Sequence, residues 1–217
     1  MLPIHAPARR CFLTPIPQLS TAADLLASAA DRLLEGDAPN ARQLVAEADM
    51  PVIGAYTALV TGAVNPLVHW QSAMPAGAVA LERSAQRMPS SSVERAIYVR
   101  DGWRCRYCGT RVIDRSMRAR LHRCLPDVAR WGARNADKHT ALAALSASLD
   151  HIVPHSRGGT NDEPNLVTAC NACQFGRGQW TLDEVGFWDP REYPPVLDEW
   201  DGLTRLGRLA DAFNIPQ

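Results

Sequence analysis

The chain reads as an α+β protein, with Ala- and Leu-rich helical stretches in front and a short β-hairpin behind them. Three observations carry that reading. Residues 22–35 place Leu25, Leu26, Ala29 and Leu33 at helical spacing, with Ser20 or Thr21 ahead and Gly36 behind. A hydroxyl that can accept the orphan N–H groups of a first turn, and a glycine past the last, are the start and stop signals of a helix. Residues 149–154 and 165–168 are short apolar runs joined through Gly158-Gly159, which suits a hairpin. Two Cys-x-x-Cys pairs, Cys105/Cys108 and Cys170/Cys173, bracket that hairpin across 61 residues of chain.

The remaining elements follow in order. Residues 1–18 form a Pro-rich arm, broken by four prolines and the pair Arg9-Arg10. Residues 41–48 predict a second helix, and 52–64 a third apolar segment that stops at Asn65-Pro66. Met88-Pro89-Ser90-Ser91-Ser92 marks a boundary, so residues 1–90 form a mostly helical N-terminal region. A short helix over 93–100 delivers the chain to the first cysteine pair. Residues 116–124, 127–134 and 137–148 read as further helices, an insertion at about 110–148 between the first pair and the hairpin. Residues 172–178 predict two turns of helix, closing a unit over 91–182. An extension over 183–217 carries a last helix near 204–213.

The 217 residues bear 23 Lys and Arg and 23 Asp and Glu, but the charge is unevenly spread. Residues 82–125 hold eleven Arg against four acids, and both flanks are acidic. A basic block of guanidinium groups is the footprint of phosphate contact. Arg111, Arg115, Arg118, Arg120 and Arg123 form a candidate nucleic-acid clamp on the insertion, with a solvated helix face as the equal alternative. No signal segment is visible, and the most apolar run, 52–70, carries two Gly, a Pro and a His. It lacks the ~20 uninterrupted apolar residues of a membrane span. A cytoplasmic protein without membrane contact is expected.

Four thiolates spaced as two Cys-x-x-Cys pairs suit a closed tetrahedral Zn²⁺ site, which leaves no position for water and is therefore structural. Cys11 and Cys124 are left over as ordinary thiols. Between the pairs lie Asp150 and His151, a hard-cation ligand beside a base that titrates near neutral pH. Neighbours on a strand point to opposite faces, so both serve one substrate only through a distorted backbone.

The runs Arg100-Asp101-Gly102-Trp103-Arg104-Cys105-Arg106-Tyr107-Cys108-Gly109, Asp150-His151-Ile152-Val153-Pro154, Gly158-Gly159-Thr160-Asn161, Asn165-Leu166-Val167 and Cys170-Asn171-Ala172-Cys173 resemble the HNH endonucleases. The resemblance covers roughly residues 93–180. It implies a ββα-metal core stapled by a Cys₄ zinc site, and a nuclease that cuts DNA phosphodiester bonds (RNA not excluded) with Mg²⁺ or Mn²⁺. It further implies His151 as general base, Asp150 as ligand of the catalytic ion and Asn165 as a brace for the loop carrying His151. At the position after the last cysteine the family has His or Asn as second metal ligand, and this chain has Gln174, one methylene longer and more flexible than Asn. Arg177, Arg157, Arg104 and Arg118 are the candidate phosphate contacts. His155, four residues after His151, is either an auxiliary ligand or an exposed hairpin-tip residue.

Two function classes follow: a divalent-metal-dependent nuclease, or a zinc-ribbon nucleic-acid-binding module whose catalysis Gln174 has weakened. The N-terminal region is expected to recruit a protein partner, self-associate or choose the target.

Overall fold

A computed structural model describes residues 10–61 and 87–209. The arm before residue 10, residues 62–86 and the part of the last expected helix beyond residue 209 lie outside the described residues; its start, Thr204–Arg208, is a 3₁₀ turn and not α-helix. Three helices come first: α1 (Pro17–Leu34), α2 (Ala38–Ala48) and α3 (Pro51–Thr61). α1 starts five residues before the expected residue 22 because Pro17 fills a first-turn position, where a missing N–H costs nothing. Its stripe Leu19, Ala22, Ala23, Leu26, Ala29, Ala30 and Leu33 is wholly buried. The Asp37 side chain caps α2 by accepting from Asn40 N–H.

Next come α4 (Ser91–Arg100), α5 (Arg115–Cys124) and α6 (Thr140–Ala144). Strand β1 (Ser148–His151) pairs antiparallel with β2 (Leu166–Ala169), Asp150 opposite Val167 and His151 opposite Leu166. Helices α7 (Asn171–Arg177) and α8 (Leu182–Val185) follow. The architecture is thus mixed helix with one small two-stranded sheet, and one hydrophobic core runs through all of it. The apolar stripes of α1–α3 join that core: Gly54 on α3 packs against Thr140 on α6, and Phe12 lies against Gly176 on α7. The N-terminal helices are therefore part of the scaffold that carries the hairpin. No single helix among the described residues is long and apolar enough to cross a membrane.

Two expected helices are corrected. Residues 127–134 form turns and irregular chain, and Gly132 lies so close to Asp137 that a Cβ would sit 2.5 Å from its side chain. The helix expected over 137–148 is confined to Thr140–Ala144. Asp49, from the end of α2, accepts from Thr140 N–H (2.7 Å) and starts it, and Ser146 leaves it to bridge Ile113 in parallel pairing.

His139 is fully buried where α2 and α6 meet, with Nε2 2.8 Å from Val45 O and Nδ1 accepting from Leu142 N–H. Burial, outweighing the nearby Asp49, holds its pKa below the usual histidine value. The unfolded chain therefore binds the proton more readily. The stability this neutral ring provides is complete above about pH 6.5 and is lost as the pH falls below it. Urea midpoints should drop between pH 7.5 and 5.5, and His139→Gln should flatten part of that slope; an unchanged slope would remove His139 from the account.

Candidate functional site

The four cysteines come together from two directions. Cys105 and Cys108 flank a turn in which Cys105 N–H donates to Thr110 O and Gly109 N–H to Cys105 O, both at 2.8 Å. Gly109 takes φ +77°, a left-handed conformation that glycine adopts without strain. Cys170 precedes α7 and Cys173 lies in its first turn. All four Sγ atoms lie within 4.8 Å of one another, and Cys108 and Cys170 are 3.6 Å apart. Sulfurs ~2.3 Å from a tetrahedral zinc would be just under 4 Å apart, so the donor set and its size both fit Zn²⁺. The thiols cannot all ionise unaided: neighbouring Cys105, Cys170 and Cys173 pull Cys108 well down, while Cys170 and Cys173 are pushed well up.

Tyr107, between the first two cysteines, links this cluster to the hairpin. Its buried hydroxyl donates to Asp150 Oδ2 at 2.9 Å. Burial and then the Asp150 charge push that hydroxyl well above its ordinary pKa, which keeps it a donor. Arg177, at the end of α7, meets the same carboxylate as a fork, Nε to Oδ2 at 3.0 Å and Nη2 to Oδ1 at 2.6 Å. Its other N–H groups donate to His151 O, Ile152 O and Trp180 O at 2.5, 3.3 and 2.7 Å. Five bonds use every donor a guanidinium has.

This corrects the expectation that Arg177 touches phosphate. It is fully buried and locks α7 to the end of β1. The other arginines expected at nucleic acid are also engaged within the chain. Arg104 pairs with Asp198, and Arg157 with Glu184 at 3.0 Å. Arg118 stacks 3.7 Å from the centre of the Trp131 ring and donates to Ser146. The clamp face is likewise taken up: Arg111 meets Asp24, Arg115 meets Glu94, and Arg120 donates to Leu209 O. Helix α5 packs against the C-terminal segment, and Arg123, the fifth arginine of that face, stays exposed.

His151 and Asp150 stand at the end of β1, both buried at 7% exposure. His151 Nε2 lies 2.8 Å from Asn161 Oδ1, and the His155 ring lies edge-on, 6.1 Å away. The strand ends at His151, and His155 opens a 3₁₀ turn over His155–Arg157, half-buried beside the catalytic candidate. Asn165 braces the loop between them. Its Oδ1 accepts from Val153 N–H (2.8 Å), and its Nδ2 donates to Val153 O (3.1 Å) and Thr160 O (2.8 Å). The loop closes so tightly that a Cβ on Gly159 would lie 1.7 Å from Val153 O.

Gln174 is tied elsewhere. Its Oε1 accepts from the Ser148 hydroxyl and its amide donates to Leu149 O at 3.3 Å. Both polar atoms of Gln174 are thus bonded to β1. Three of the roughly four acceptor positions of the Asp150 carboxylate are taken by Tyr107 and Arg177, which leaves about one on Oδ1. Tyr107, Asn161 and Ser148 are the contributors that sequence reading missed. Tyr107 and Asn161 lay inside the quoted motifs and Ser148 at the end of an expected helix, but nothing local signalled the side chain each would meet.

Residues 137–174 match the family described as HNH endonuclease. No curated protein and no solved structure matches the chain.

Proposed function

We propose, from the match of residues 137–174 to the HNH endonuclease family, that the chain is a nuclease in which His151 is the general base. The observation that carries the reading is the fixed pair Asp150–His151 at the end of β1, inside the matched segment and beside the four-cysteine cluster. In this reading His151 takes a proton from water as the water oxygen attacks phosphorus. The bond to the 3′ oxygen breaks, and that oxygen leaves with a proton from solvent, giving a 5′-phosphate and a 3′-hydroxyl. DNA is the proposed substrate, within a ββα arrangement formed by β1, β2 and α7.

Cys105, Cys108, Cys170 and Cys173 would hold Zn²⁺ as a structural ion. Asp150 Oδ1 would contribute one oxygen to Mg²⁺ or Mn²⁺, consistent with magnesium's habit of keeping several waters and one or two carboxylates. That ion would supply charge neutralisation at the scissile phosphate. Gln174, held by Ser148, favours a second reading: a zinc-stapled nucleic-acid-binding module with reduced catalysis.

Cleavage of supercoiled plasmid tests both. With Mg²⁺ or Mn²⁺ the protein should nick or linearise the plasmid, EDTA should stop it, and His151→Ala should slow it about 10²- to 10⁴-fold, the range of a lost general base. Cutting that survives His151→Ala would overturn the site assignment. Salt-sensitive binding without cutting would select the second reading.

A further inference from the structure

We infer that Asn161 is a positioning residue that fixes the proton of His151 on Nε2 and so leaves Nδ1 as the basic nitrogen; this deepens the nuclease reading and rests on it for its consequence. The amide oxygen of Asn161 is 2.8 Å from His151 Nε2. An amide oxygen only accepts, so the ring nitrogen facing it must donate. In a neutral imidazole that places the lone pair on the other nitrogen. Among the described residues no hydrogen bond is seen at Nδ1, and the residue as a whole is buried at 7% exposure. One nitrogen is thus held by Asn161 and the other is left to serve as the base.

Asn161 reaches His151 because the preceding residues are fixed. Asn165 Nδ2 holds Thr160 O at 2.8 Å, and Gly159 lies against Val153 O with no space for a side chain. The loop brings residue 161 back over the end of β1, ten positions along the chain from the ring it contacts. The brace by Asn165 and the contact by Asn161 therefore form a relay: one asparagine sets the loop and the next sets the ring. At the other end, Arg177 Nη2 holds His151 O at 2.5 Å, so backbone and ring are both anchored.

The test is a ring-nitrogen spectrum of the ¹⁵N-labelled, zinc-loaded full chain, correlating both His151 nitrogens with the ring carbon-bound protons. The expected result is an Nε2–H tautomer in the native protein, lost in Asn161→Leu and recovered in Asn161→Asp, which keeps an oxygen acceptor. Plasmid cleavage should fall about ten- to a hundredfold in kcat in Asn161→Leu with KM little changed, the size typical of an outer-shell orienting partner. An Nδ1–H tautomer in the native protein would overturn the inference, as would one tautomer unchanged in all three proteins. The spectrum needs no substrate. A protein that shows the expected tautomer but cuts nothing would sink the nuclease reading while this inference stood.

Discussion

Removing zinc should disorder the knuckle, the start of α7 and the Asp150 carboxylate together, while α1–α3 keep their protection. The cluster joins Cys108 to Cys170 across 62 positions and so ties the turn at Cys105–Cys108 to the start of α7. Without a cation Cys170 and Cys173 are held protonated by their neighbours, so only weak thiol contacts remain in place of four metal bonds. Zinc binding to small Cys-rich units is worth roughly 10–16 kcal/mol at neutral pH. Here a larger core remains behind, so the expected outcome is local opening and not loss of the whole fold. Tyr107 sits between two of the ligands, so a displaced knuckle withdraws its hydroxyl from Asp150. Hydrogen exchange before and after chelation is the measurement, with metal analysis giving one zinc per chain. Protection should fall around residues 101–112 and 166–178 and persist in α1. Purified protein without zinc, or exchange indifferent to the chelator, would remove this account of the staple.

The contrast between what could be read in the sequence and what could not has a physical cause. Cysteine spacing, the Asp150-His151 pair and the Gly158-Gly159 turn are local patterns, and local patterns survive without knowledge of the fold. Strand β2 and helix α7 fall within a residue of their expected limits for that reason, while β1 starts one residue early and ends three residues short, at His151. Helix α6 was overestimated because its start is set by Asp49, 91 positions away, which no window around residue 140 contains. The arginine block illustrates the same gap in charge. Counting eleven guanidinium groups suggested a clamp, but Arg111, Arg115 and Arg118 each meet a partner 21 to 91 positions distant. Composition reports how many charges there are; only the packing says which of them are already neutralised. Around the site the same holds. Asp150, His151 and Asn165 were legible as identities, whereas Tyr107 and Arg177, at separations of 43 and 27, were not legible as the partners of Asp150.

Arg177→Met should destabilise the zinc-loaded protein by about 3–5 kcal/mol, the cost of leaving one member of a buried ion pair without the other. The side chains of Arg177 and Asp150 are 1% and 9% exposed, so water cannot replace the lost partner. Three carbonyls, those of His151, Ile152 and Trp180, lose their donor in the same step. Arg177→Lys should fall between, because an ammonium keeps the charge but cannot span the carboxylate and three carbonyls as a planar fork does. The decisive variant is Asp150→Asn combined with Arg177→Met. Replacing the carboxylate by an amide removes the uncompensated charge, so the double variant should be more stable than Arg177→Met alone, a coupling visible in a double-mutant cycle by urea unfolding. A double variant no more stable than the single one would mean that the carbonyl bonds, not the ion pair, carry the stability. The two outcomes also differ in what they say about the carboxylate. If the ion pair dominates, Asp150 is held in place by charge and keeps its one remaining acceptor position aimed as Arg177 and Tyr107 leave it. If the carbonyl bonds dominate, Arg177 is chiefly a clasp between α7 and the end of β1, and Asp150 is positioned by the strand that carries it.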